Sequence, residues 1–291
     1  MQNMNLYKKI YEAINTGIQN ALALDDEDVS IIYQHKKISN DFDSNEFAYK
    51  LMQDEYKKLL KNKDFYGCLN LYNSEYLHFE KRTIGYKVNS KEELKELTRN
   101  FNDEDYNNFD LNWIDVSEIS DMSHLFYNFN CFNCDISKWD VSNVTDMNHM
   151  FSYCENFNSN LSKWNVSNVT DMNHMFSYCE NFNSNLSKWN VSNVTDMNHM
   201  FSYCENFNSN LSKWDVSNVT DMNYMFYQCF NFKSGLNQWN VSKVKNMKSM
   251  FQHCIKFNSN LSKWDVSKVK DIEYMFYQCP IKKEYKPKFN K

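Results

Sequence analysis

The chain has 291 residues, 42% hydrophobic and 24% charged, with a formal net charge of −5. That balance is a soluble globular composition with enough apolar material for a core. No basic excess points to nucleic acid, and no run approaches the ~18 apolar residues of a membrane-spanning helix.

Residues 1–85 carry no repeat and read as a mainly helical N-terminal region. Leu6, Ile10, Ile14, Ile18 and Leu22 step by four, the stripe of an amphipathic helix that ends before the acidic run Asp25-Asp26-Glu27-Asp28. A second helix is expected from Asp43, with Glu46 completing a capping box, and a hairpin is expected around Asn73-Ser74. The N-terminus has Lys8 and Lys9 but lacks the apolar core of a secretory signal. Residues 86–110 are expected to form an N-terminal cap. There Ser90 and Glu93 spell another capping box, and Leu94, Leu97 and Phe101 fall on one helical stripe.

From 111 to 280 the chain repeats with a period of 25 residues. VSNVTDMNHMFSYCENFNSNLSKWN at 141–165 recurs unchanged at 166–190, and again at 191–215 with Asp215 for the last Asn. Tryptophan keeps the period at Trp139, Trp164, Trp189, Trp214, Trp239 and Trp264, and a degenerate first turn starts near Ile114. About seven turns result, each too small to bury its own core and therefore expected to stack on its neighbours. The spacing of Met147, Met150, Phe151 and Cys154 predicts a short helix with Asp146 as its N-cap. The stretch from Leu161 to Val169 predicts a short strand, with Trp164 and Val166 alternating with Asn165. Pro280 and Lys282 break the pattern, so the stack is expected to end there, and residues 281–291 form a basic tail expected to be poorly ordered.

The motif W-D/N-V-S-x-V-x-D/N-M-x-x-M-F-x-x-C-x-x-F-N, read from WDVSNVTDMNHMF and its copies, resembles the BspA-like leucine-rich-repeat surface proteins. The resemblance implies an α/β fold, a leucine-rich-repeat-like solenoid of one short strand and one short helix per turn. It also implies a surface antigen or adhesin that binds protein or glycan partners at the cell surface, with no catalytic residues. The absence of a signal near the start points instead to a cytoplasmic or particle-associated protein.

Three rows recur at the repeat period. Cys154, Cys179, Cys204, Cys229, Cys254 and Cys279 form a ladder whose slot in the first turn holds Phe129. An apolar replacement indicates reduced, buried core thiols rather than disulfides or a metal stack. Cys131 and Cys134 make a lone C-x-x-C, a weak metal or redox signal. His149, His174 and His199, with His124 before them, lie opposite the apolar stripe, and Tyr153, Tyr178 and Tyr203 follow one helical turn later. Lys163, Lys188 and Lys213 make a further polar row. These nine residues from His149 to Lys213 are the candidate binding face, with a merely solvated face as the plainer alternative. No catalytic constellation, cofactor-binding loop or metal set is expected, because a repeated surface does not supply one asymmetric, preorganised site. The expected function is a non-enzymatic interaction protein that is neither nucleic-acid-binding nor membrane-inserted, its oligomeric state open. The alternative is a structural spacer or assembly component, cellular or of a virus or phage particle, whose residues 1–85 make the specific contact.

Overall fold

The computed structural model of the chain describes residues 86–102 and 109–289. The chain divides into two units, Met1–Gly85 and Tyr86–Lys291. The helices and hairpin expected before residue 86 lie outside the described residues.

The second unit opens with β1 (Tyr86–Lys87), which pairs in parallel with β2 (Ile114–Asp115) of the first turn. Between them stands α1 (Lys91–Thr98), followed by a 3-10 turn over Arg99–Asn102. Ser90 caps α1 by accepting from the Glu93 N–H at 3.1 Å. The Glu93 carboxylate accepts in return from the N–H of Asn89 at 2.9 Å, one residue earlier than the usual box. Leu94, Leu97 and Phe101 are buried, as their stripe predicts. Lys91 reaches back to the Asp121 carboxylate at 2.9 Å and to the Ser123 hydroxyl, so α1 is tied to the first turn of the repeat.

The repeated turns are joined in parallel, one 25-residue step at a time. Asp121, Asp146, Asp171, Asp196, Asp221, Asn246 and Asp271 form a continuous series of parallel bridges. Alternate N–H groups all point forward: Met147, His149, Phe151 and Tyr153 donate to the carbonyls of Asp171, Asn173, Met175 and Ser177 at 2.8–3.0 Å. At about 0.5–1.5 kcal/mol net per bond, this strip contributes about 2–6 kcal/mol to each junction.

The predicted short helix is absent, and the reason lies in this strip. Met150, Ser152 and Cys154 donate to Met147, His149 and Phe151, three residues back, so the segment is a run of tight turns. His149 and Tyr153 sit at φ 53° and 64°, in the left-handed region, which resets the chain direction and frees the intervening amides for the next turn. The apolar spacing was still informative: Met147, Met150, Phe151 and Cys154 are all fully buried. Asp146 accepts from the Asn148 N–H at 2.9 Å, an Asx turn with no helix behind it. The predicted strand over 161–169 is likewise absent. Trp164 and Val169 donate back to Leu161 and Val166, and Asn160 and Asn165 accept from Ser162 and Ser167, so both halves are turns.

Within the stack Phe151 packs on Phe157 at 4.1 Å between ring centres and on Phe176 of the next turn at 5.6 Å. Side chains also fasten each turn to the one before: the indole N–H of Trp189 donates to the Leu161 carbonyl, and Asn168 donates to the Ser142 carbonyl. The tail is not loose through Phe289. Leu261 donates to the Tyr285 carbonyl at 2.8 Å, Ile281 is buried, and Lys286 lies over the Phe276 ring at 5.2 Å. Sequence reading missed this because the tail pairs with a turn about 24 residues earlier, beyond any local signal.

Truncating Phe176 to alanine should destabilise the protein by about 3–5 kcal/mol, since the ring is closed in by the neighbouring turns. Ser90→Ala should lower stability by about 0.5–2 kcal/mol through the lost cap. Urea unfolding of both variants measures these differences.

Candidate functional site: an aromatic ribbon on the left-handed positions

Two positions per turn have positive φ, between 52° and 64°, and none is glycine. They hold the predicted His and Tyr rows. Left-handed backbone costs an L-residue about 1–2 kcal/mol. Here ring stacking along the turns offsets part of it.

His124 stacks on His149 at 4.6 Å, His149 on His174 and His174 on His199 at 4.3 Å, and His199 on Tyr224 at 4.5 Å, all within 12° of parallel. Tyr153, Tyr178 and Tyr203 stack beside them at 4.4 and 4.1 Å. Each stacked pair is worth about 0.5–1.5 kcal/mol beyond area burial. Tyr127 joins the two rows at one end, touching His124, His149 and Tyr153. Tyr227 joins them at the other, touching Tyr203 and Tyr224 and continuing through His253 to Tyr277 and Tyr274. Ring contacts thus run unbroken from His124 to Tyr277.

The bridging tyrosines were missed in the sequence, although a signal for them exists. Where the tyrosine slot holds Asn128, Gln228 or Gln278, the preceding slot changes from Ser to Tyr127, Tyr227 or Tyr277. The two slots substitute for each other in supplying an aromatic ring. Lys163, Lys188 and Lys213 are exposed, and no hydrogen bond, ion pair or ring contact among the described residues joins them to the ribbon. The lysines thus stay outside the network of ring contacts.

Desolvation is the first cause of the histidine shifts, followed for His149 and His174 by the charge of a neighbouring imidazole. It holds His149, His174 and His199 down to about 4 and lowers His124. Burial raises Tyr153, and burial with tyrosine hydrogen bonding raises Tyr203. The stacked imidazoles of His149, His174 and His199 are therefore uncharged near neutral pH. Where the rings lie face to face, from His124 to Tyr224 and from Tyr153 to Tyr203, their faces are covered and edges and tyrosine hydroxyls remain, while Nδ1 of His149 is buried. Parallel imidazoles also hold their in-plane lone pairs parallel, whereas a tetrahedral ion requires convergence. Among the described residues no group of three or more His, Cys, Asp or Glu side chains comes together.

The thiols point inward. Cys154, Cys179, Cys204, Cys229 and Cys254 are buried and free, and each donates to a phenylalanine carbonyl of an earlier turn, as Cys179 does to Phe151 at 2.9 Å. Burial raises all five above the ordinary thiol range. Cys131 is half-buried and Cys134 is buried, its thiol pushed up to about 12 by desolvation.

The chain matches, over residues 95–214 and 197–284, a family described as a Mycoplasma protein of unknown function, DUF285. No curated protein and no solved structure matches it significantly.

Two outcomes are expected. The unfolded chain binds protons on histidine near 6.5 while the folded one binds them near 4, so stability should be complete above about 6.5 and fall as pH drops toward 4. Asp171 and Asp221, raised mainly by burial, act in the opposite sense over the acid part of that window. Replacing His149, His174 and His199 with Gln should flatten the dependence in pH-resolved urea melts. The five ladder thiols should resist a thiol reagent in the native protein and react after unfolding.

Proposed function

The chain belongs to this Mycoplasma family of unknown function, and on that premise we propose that it is a non-enzymatic interaction protein. Its repeats form a leucine-rich-repeat-like solenoid of the BspA type. The repeat surface binds a protein or glycan partner through many equivalent weak contacts. The observation that carries this reading is the aromatic ribbon, one or two rings per turn in unbroken contact from His124 to Tyr277. A partner with its own repeat would meet equivalent groups once per turn. Affinity would then grow with the number of turns engaged.

The separate lysine row offers a second, charged register on the same array. Over the inner turns the ring edges favour hydrogen-bonding partners over flat apolar ones, because the ring faces there are already covered by neighbouring rings.

Deleting residues 166–215 in frame removes two near-identical turns and should leave a foldable stack. Against immobilised panels of glycans and extracellular-matrix proteins, any hit of the full chain should weaken by about one to two orders of magnitude in the deletion. Unchanged binding by the shortened chain would favour a structural spacer instead.

A further inference from the structure

The two ends of the stack differ. At the N-terminal end, β1 and α1 cover the first turn, with Lys91 on Asp121 and Ser123. At the other end the forward-pointing strip simply stops. Its last complete rung runs from Met247, Ser249, Phe251 and His253 to Asp271, Glu273, Met275 and Tyr277. The next donors in line are the N–H groups of Ile272, Tyr274, Phe276 and Gln278. None of them donates to any described residue. The tail folds instead over the neighbouring segment, through Leu261 to Tyr285 and Lys282 to Asn258.

This edge is unlike that of an ordinary strand. A β-edge offers donors and acceptors alternately, whereas here the carbonyls of Ile272, Tyr274 and Phe276 are already used by Met275, Tyr277 and Cys279. What remains is a row made of donors. Three large side chains flank it in the open: Ile272 is 39% exposed, Tyr277 50% and Tyr274 55%. Met247, the counterpart of Ile272 one turn earlier, is fully buried.

The charge around the edge also departs from the rest of the stack. An identical inner turn such as 141–165 carries Asp146 and Glu155 against Lys163, whereas residues 265–289 carry six lysines against four carboxylates. A donor row on a locally basic end of an acidic protein calls for an acceptor-rich partner of negative charge.

We propose that the 272–278 edge docks an extended acidic peptide segment, whose carbonyls, one every second residue, continue the ladder while its apolar side chains pack on Ile272, Tyr274 and Tyr277. This docking does not rest on the ribbon reading, because the ribbon's inner rings take no part in it. The partner acts as one further turn supplied in trans.

The test uses the full-length chain and two fluorescein-labelled decapeptides, one alternating Glu with Val and the other Lys with Val, followed by fluorescence anisotropy. The Glu peptide should bind, more weakly at high salt, and the Lys peptide should not. Ile272→Pro removes one donor that no described residue uses, so it should leave the urea midpoint nearly unchanged while weakening the Glu peptide about three- to tenfold. Lys268→Glu with Lys270→Glu should weaken it similarly, whereas Tyr178→Ser should not. Equal binding of both peptides, or of the Glu peptide to wild type and Ile272→Pro, overturns the proposal. So does self-association that Ile272→Pro abolishes without any peptide binding, which would assign the edge to a second copy.

Discussion

The structure depends on the forward-pointing hydrogen bonds between successive turns. A turn of 25 residues has neither the helix nor the strand that would satisfy its own amides, so it must hand them to its neighbour. The left-handed residues make that possible. With left-handed backbone at His149 and again at Tyr153, every second N–H is aimed along the stack and the others close within the turn. Remove that geometry and these amides would compete for bonds within one turn, as in a helix, leaving the junction to side-chain bonds and to single amides such as that of Thr170, which donates to Thr145.

Most of the conspicuous polar residues serve the same end. Asn158 accepts from the Asn183 N–H one turn on, Asn168 and Trp189 donate to carbonyls of the preceding turn, and the cysteine thiols do likewise from inside the core. A protein with four glycines and two prolines makes its bends with Asn, Asp and Ser, whose side chains replace missing backbone partners. Their regular recurrence is therefore a structural requirement before it is a surface pattern.

The aromatic ribbon is where structure and function meet. Positive φ would favour glycine, yet most of these positions carry His or Tyr, and over the inner turns their rings stack across the junctions that the backbone already makes. Stacking desolvates the imidazoles, which keeps them neutral, and it covers the ring faces. The same contacts that steady the stack thus decide what its inner turns can offer a partner: the edges of neutral imidazoles beside a row of tyrosines.

Periodicity alone was enough to reveal the repeat, its length, its buried residues and the alignment of the His, Tyr and Cys rows. These follow from which side chains avoid water, and the buried set of Phe151, Cys154, Phe157, Leu161 and Trp164 matches that reading. The capped helix at Ser90 was equally legible, because its signals lie within a few residues of one another. Backbone conformation was not. A spacing of three and four residues fits a helix and a run of tight turns equally well, and only bonds to residues 24 or 25 positions away decided between them. The same distance hid the packed tail and the edge at Ile272, whose amide donates to no described residue. Sequence determined which residues face inward, because hydrophobicity is a property of each side chain. Tertiary structure decided where each amide finds its partner, because that partner lies one whole turn away.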